Sequence, residues 1–330
     1  MISSAESRQS KGRPFIKHKT VNYTCLIIEK IYTRSLLPIA MYDKSVYSKL
    51  LHRNIPFRSN LLNVWNTKSK IVSTRNHFNR QTGELSSSHN IGDYEYSNVP
   101  GFSGNSYPDN NELAIYIHGV WIGQTSAREQ LDRIKLSLNA NGYNIPVVGF
   151  SWDSNTAINA SGWAIAKFIA TQNGPKLAKF ISDFKANCPN SNIRIIAHSL
   201  GAKVVESALI SLDNKNKNNR TWTLDSGYNI TSIHLIGAAI SDKATSKNRP
   251  FGTAIDNIVQ NFYNLYNPED NSLHGAYIKT ENQNPLGLFG LRKGEPFPAN
   301  YTERNVMLEI PPFTKASGIY QAFCDKGIYR

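Results

Sequence analysis

Ile193-Arg-Ile-Ile-Ala-His-Ser-Leu-Gly-Ala-Lys-Val-Val205 decides how this chain is read. An apolar run of strand character ends at Ala197, the turn His198-Ser-Leu-Gly201 follows, and an apolar segment of helical spacing begins. A strand that turns this sharply into a helix needs small residues two positions to either side of its tip. Ala197 and Gly201 occupy those positions, so Ser199 is expected at the tip, with its hydroxyl exposed at the carboxyl edge of a sheet and a helix N-terminus beneath it.

About eighty residues upstream, Leu113-Ala-Ile-Tyr-Ile-His-Gly-Val-Trp121 reads as a second buried strand, ending in His118-Gly119. In acyl-transfer enzymes, a loop after an early strand and the residue after the nucleophile each supply one backbone donor to the oxyanion. At this spacing the donors are expected to be the amides of Val120 and Leu200. Gly119 lets the backbone turn toward the substrate.

The 330 residues can hold one large α/β domain and an extension. An apolar content of 40% and an aromatic content of 11% suit a packed core. The formal net charge of +13 raises the question of a polyanionic partner. Lys and Arg are scattered, however, and dense only over Lys11 to Lys19 and Lys215 to Arg220, so the charge is read as solvated surface and no nucleic-acid partner is expected. Cys25, Cys188 and Cys324 form no C-x-x-C pair, which argues against a structural zinc site, and no metal is expected. No G-x-G-x-x-G follows a strand, and no cofactor is expected. No apolar run approaches a membrane span, and Leu36 to Met41 is a poor signal segment after its long charged lead. A cytoplasmic location is the resulting expectation.

Residues 1–85 show no clean periodicity, although short helices are plausible over 25–31 and 45–52. Ser86 to Asn111 is rich in Ser, Asn, Gly, Tyr and Pro and reads as a linker. Residues 1–111 are therefore set apart from a domain over 112–330. In that domain the pattern predicts strands at 113–118, 146–152, 193–197, 232–237, 261–266 and 305–310. It predicts helices at 126–139, with Leu131, Ile134 and Leu138 facing the sheet, at 163–186 with a break at Gly174-Pro175, and at 201–212. A Pro- and Gly-rich loop is expected over 284–300. Strand–helix alternation of this kind implies a mostly parallel sheet with helices on both faces.

Ile117-His-Gly-Val120, Gly149-Phe-Ser-Trp-Asp153, Ala197-His-Ser-Leu-Gly201 and Tyr266-Asn-Pro-Glu-Asp270 together resemble the α/β-hydrolase superfamily. The resemblance is to uncharacterised lipase- and esterase-like branches with an Ala-His-Ser-Leu-Gly elbow, and it covers about residues 112–310. It implies a Ser–acid–His triad in that chain order. Ser199 would be the nucleophile and Asp270, after the late strand, the acid, with Asp242 and Glu269 as rivals. The family's histidine lies after the last strand, but no histidine occurs between Pro311 and Arg330. His274, four residues past Asp270, is the remaining candidate base; on a helix, i,i+4 spacing would put the two side chains on one face. A truncated or diverged C-terminus is the matching expectation.

The other histidines have ordinary readings. His118 is expected to orient the oxyanion loop, His198 to pack beneath the elbow and His234 to sit buried in a strand. His18, His52, His77 and His89 fall in the unassigned part. Trp152 lies near the site edge, either lining a pocket or packing at its rim. These residues fit a serine hydrolase acting on carboxylic esters or acylglycerols, with a small ester or lipid as its partner. The alternative is a non-catalytic relative that keeps the fold for binding or dimerisation. A basic-surface binding protein rests on net charge alone.

Overall fold

The computed structural model describes residues 70–96, 112–140, 143–218 and 230–308. The short helices expected over 25–31 and 45–52, and the segment after Ile310, lie outside the described residues. The described residues build one eight-stranded sheet. In chain order its elements are β1 (Lys70–Ser73), β2 (Glu95–Tyr96), β3 (Glu112–Ile117), α1 (Gln124–Ala140), β4 (Val147–Ser151), α2 (Ala160–Asn187), β5 (Asn192–His198), α3 (Gly201–Asn218), β6 (Ile230–Ile236), α4 (Pro250–Ile258), β7 (Phe262–Tyr266) and β8 (Tyr301–Asn305). A π-helical turn, Leu273–Ile278, follows β7. The strand order is β2-β1-β4-β3-β5-β6-β7-β8. Every neighbouring pair is parallel except β1 with β2. This is the mostly parallel sheet that strand–helix alternation implied.

Alternation along β3 shows how the two faces are filled. Leu113, Ile115 and Ile117 point into the larger core cluster, whereas Ala114 and Tyr116 point into the smaller one. Leu131, Ile134 and Leu138 of α1 cover the smaller cluster. Trp163, Phe180 and Phe184 of α2, Val204 and Leu209 of α3, and Ile255 of α4 fill the larger one. Side chains of both faces are therefore withdrawn from water, and a parallel sheet requires this because its crossovers lie on its faces.

Three local expectations differ from the structure, and one element was not foreseen. Residues 70–96 are not a separate extension or linker. β1 pairs in parallel with β4, from Lys70 opposite Val148 to Ser73 opposite Ser151, so the sheet begins inside the span set apart. The helix over Gly174-Pro175 is not broken. Pro175 has no N–H to offer the Thr171 carbonyl, but the Ser207 hydroxyl of α3 donates to that carbonyl at 2.7 Å. Gly174 faces the same Ser207, and a side chain there would collide with it, so the pair marks a close helix crossing. The last described strand is the polar Tyr301–Asn305, and Val306 to Leu308 of the strand expected over 305–310 do not continue it. It lies at the sheet edge and buries little, so an apolar pattern could not reveal it. Finally, α4 starts with Pro250 at its first turn, a start signal that the sequence reading did not use.

Candidate active site

Ser199 sits between the end of β5 and the start of α3. Its φ is 52°, the left-handed region that a non-glycine residue enters at a cost. The backbone around it holds that conformation. The Ser199 amide donates to the Ile236 carbonyl at 3.0 Å, and the Ser199 carbonyl accepts from the amides of Ala202 and Ala239, each at 3.1 Å. Gly201 is required by crowding. A Cβ there would lie 2.8 Å from the carbonyl oxygens of both Ile117 and His118. The first turn of α3 is thus pressed against the end of β3, and only a hydrogen fits between them.

The loop after β3 meets the same turn. A Cβ on Gly119 would lie 2.9 Å from Cβ of Ser199 and 3.3 Å from Nδ1 of His198. Its orientation is set by His118, which is 2% exposed. His118 Nε2 lies 3.0 Å from an Arg75 guanidinium nitrogen and 3.2 Å from the Trp152 backbone nitrogen. Both of those are donors, so Nε2 must be the acceptor and Nδ1 carries the proton. Nδ1–H then donates to the Gly119 carbonyl at 2.9 Å. The Gly119 carbonyl and the Val120 N–H belong to one trans peptide unit and point opposite ways. Gripping the carbonyl therefore fixes the direction of the Val120 amide, away from His118. Among the described residues, no protein acceptor takes the amide hydrogen of either Val120 or Leu200. The next residue, Trp121, is also left-handed, with φ 58°, and its amide donates to Ser154 at 2.8 Å.

Arg75 holds this arrangement from outside the segment in which sequence reasoning sought the site. Besides His118, it reaches the Ser151 hydroxyl at 2.9 Å, the Asn155 side chain at 3.1 Å and the Ile122 carbonyl at 2.9 Å. Burial lowers its pKa to about 10, with the Asp153 charge working against that fall. Asp153 in turn accepts the amides of Asn76 and Phe78 at 3.0 and 3.1 Å. Burial, followed by the Arg75 charge, drives the pKa of His118 far below the ordinary value, which keeps the ring neutral. Trp152 does not line an open pocket. It is fully buried, donates its indole N–H to the His118 carbonyl at 3.0 Å, and stacks on the His118 ring 2° from parallel.

The side after β7 is built differently. Asp270 is buried and lies four residues past the end of β7, a parallel strand separated from β5 by β6, which places it at the same sheet edge as Ser199. Its Oδ1 accepts the amides of Ser272 and Leu273 at 2.9 and 3.1 Å, capping the helical segment that follows. His274 meets Asp270 through backbone, its amide donating to the Asp270 carbonyl at 3.1 Å. The exposed His274 ring donates from Nε2 to the Pro268 carbonyl at 2.9 Å. Spacing had suggested a side-chain contact, but Asp270 caps this turn with its carboxylate on the Ser272 and Leu273 amides, so the i,i+4 relation to His274 is kept by backbone alone. Asp242, one rival acid, is instead clamped by both arms of Arg292 at 2.9 and 3.0 Å. Glu269 donates its amide to Asn267 in the turn. Among the described residues, no side chain hydrogen-bonds the Ser199 hydroxyl. His198 is half-buried and His234 buried, with pKa values lowered by burial to about 4 and about 3. His18 and His52 lie outside the described residues.

Residues 105–276 match the model of a family described as alpha/beta hydrolase of unknown function (DUF900). The chain belongs to that family. An uncharacterized protein of Nostoc sp. (strain PCC 7120), alr1448, is 24% identical over 164 residues, or 43% of this chain and 42% of that protein. The match thus spans less than half the length of that curated relative. Among solved structures, an acetylxylan esterase superposes with a TM-score of 0.33 at 10% identity, covering 66% of this chain and 95% of that one. The catalytic core domain of acetyl xylan esterase from Trichoderma reesei gives a TM-score of 0.27 at 12% identity, covering 40% and 65%. Among the described residues of this family member, no helix is long and apolar enough to cross a membrane.

Proposed function

We propose that this member of the family is a serine hydrolase of carboxylic esters whose turnover is slow. Ser199 Oγ attacks the ester carbonyl carbon. The developing oxyanion is held by the amides of Val120 and Leu200, the alcohol departs with a proton, and water later releases the acid from the acyl-serine. Asp270 is the carboxylate assigned to the acid position. The observation that carries the reading is the contact between Gly119 and the left-handed Ser199, beside two backbone amides that no described group uses. Slow turnover follows because no described imidazole meets the Ser199 hydroxyl to take its proton. An unassisted serine is a poor nucleophile at neutral pH. A small ester or an acylglycerol is the matching substrate class.

The second reading is a binding protein that keeps the fold without the chemistry. A fluorophosphonate probe separates the two. Mass spectrometry of the full chain is expected to find one adduct, on Ser199, forming over hours and absent from Ser199→Ala. No adduct, or an adduct on another residue, would favour the non-catalytic reading.

A further inference from the structure

His77 is 0% exposed, and neither of its ring nitrogens has a hydrogen-bond partner. A neutral imidazole carries one N–H and one lone pair, and leaving both unmet inside a protein is costly. Two other side chains with metal-ligand chemistry stand around it. Ligand atoms of His77, His89 and Glu95 all lie within 4.8 Å of one another, and His77 Nε2 is 4.0 Å from Glu95 Oε1. Asp93 adds a further carboxylate 4.0 Å from His89 Nδ1. All four residues come from the segment between β1 and the start of β2. Its ends are fixed by strand pairing, with Ser73 opposite Glu95, and its middle by the Ser86 amide donating to the His77 carbonyl at 2.8 Å.

We propose that His77, His89 and Glu95 form a site for one divalent metal ion, with zinc the best match to two imidazoles and a carboxylate, and water or Asp93 in the fourth position. Zinc bonds of about 2.0–2.1 Å set tetrahedral ligand atoms roughly 3.3 Å apart, so the three residues must close by up to roughly 1.5 Å. The exposed Glu95 side chain and the loop residue His89 are the groups that can move. His89 must also turn. Its ring now stacks on His77, with centroids 3.7 Å apart and planes 10° from parallel, whereas a metal lies in the plane of each ring that ligates it. Lys176 opposes a cation here, but its Nζ is taken up by the Asn90 and Asp93 carbonyls at 2.6 and 3.0 Å, and two carboxylates outnumber it. The absence of paired cysteines does not bear on a site of this composition. Arg75 and Asn76 immediately precede His77 in the chain, so a bound metal would brace the turn that presents Arg75 to His118.

The test is a zinc titration of the chelator-treated full chain, followed by calorimetry, with Co(II) absorption as the geometric readout. One equivalent is expected to bind, with the intense visible bands of tetrahedral Co(II) and a raised unfolding temperature. Loss of an outer-shell partner alone costs a metal site about 10–100-fold in affinity. His89→Ala and Glu95→Gln should therefore each weaken binding at least about tenfold. Both changes lie off the core, and metal-free unfolding temperatures near wild type would verify that the variants fold. No saturable uptake, or uptake that both variants leave unchanged, would overturn the site and leave His77 and His89 as a packed pair. Neither result depends on Ser199 or on hydrolysis.

Discussion

On the β3 side of Ser199, the Gly119 carbonyl is held by His118, and His118 is held by Arg75 and Trp152. On the β7 side, the Asp270 carboxylate caps its own helix and the His274 ring is tied to the Pro268 carbonyl. Both flanks lie at the same sheet edge, yet only the first aims its polar groups at a fixed geometry around the serine. Stabilising an oxyanion needs backbone donors held still, and a buried chain of hydrogen bonds can do that without titrating. Relaying a proton needs an imidazole at the hydroxyl, and the described residues place none there.

The largest effect is expected on the β3 side, where the first turn of α3 presses against the end of that strand. Gly201→Val puts atoms into a gap where a single Cβ already lies 2.8 Å from the Ile117 and His118 carbonyl oxygens. These are backbone atoms at the ends of core strands and cannot swing aside. Overpacking costs about 1–3 kcal/mol in a typical core, and this variant should reach the top of that range or fail to fold. Urea denaturation reads it directly, and a wild-type midpoint would mean that the turn is looser than described.

Acid should weaken the serine turn and the β3 loop through their histidines. His118, His198 and His234 have native pKa values depressed below 6.5. The unfolded chain binds their protons first, so their contribution is complete above about pH 6.5 and is lost as pH falls toward their native pKa values. Between pH 6.5 and about 4 the unfolding free energy should fall with a slope approaching four protons, one for each of these rings and one for His77, whose pKa burial lowers to about 4. A pH series of urea midpoints measures that slope. A flat profile would contradict the buried neutral state of these rings.

A smaller and more local effect is expected at Arg75. Arg75→Met removes the donor fork on His118 Nε2, Ser151, Asn155 and Ile122. It also leaves Asp153 without its buried counter-charge. Stability should fall by about 2–3 kcal/mol, the usual cost of hydrogen bonds to charged groups. If Arg75 positions the oxyanion loop, the fluorophosphonate adduct should also form about tenfold more slowly in fully folded protein, the effect of roughly 1.4 kcal/mol on a barrier. Arg75→Lys should recover part of that rate through its single bond to His118. A loss of stability with no change in labelling rate would make Arg75 structural only.

The contrast between the flanks also explains what could be read in advance. The turn at Ser199 is local. Ala197, Gly201 and the apolar run from Ile193 announce it within nine residues, and the strand ending in His118-Gly119 does the same for the loop. Arg75 left no such signal. It follows a four-residue strand in a stretch without periodicity and reaches His118 across 43 positions of sequence. Trp152 was placed correctly along the chain, but only packing decides whether an indole lines a cavity or braces a ring. His274 misled through its spacing, because Asp270 is the cap of the turn and its carboxylate is spent on the Ser272 and Leu273 amides rather than facing His274.

Steady-state hydrolysis of a short-chain p-nitrophenyl ester by wild type, Ser199→Ala and His274→Ala tests the central claim most directly. An intact triad enzyme loses about 10⁶-fold when its serine is removed, whereas an oxyanion hole without a base supplies roughly 10³–10⁴-fold over water. Wild type is expected to be slow, Ser199→Ala to lie within about tenfold of it, and His274→Ala to be unchanged. A robust wild-type rate that collapses in Ser199→Ala and survives in His274→Ala would show that another base reaches Ser199, and the account of an assembled oxyanion side without a proton relay would be wrong.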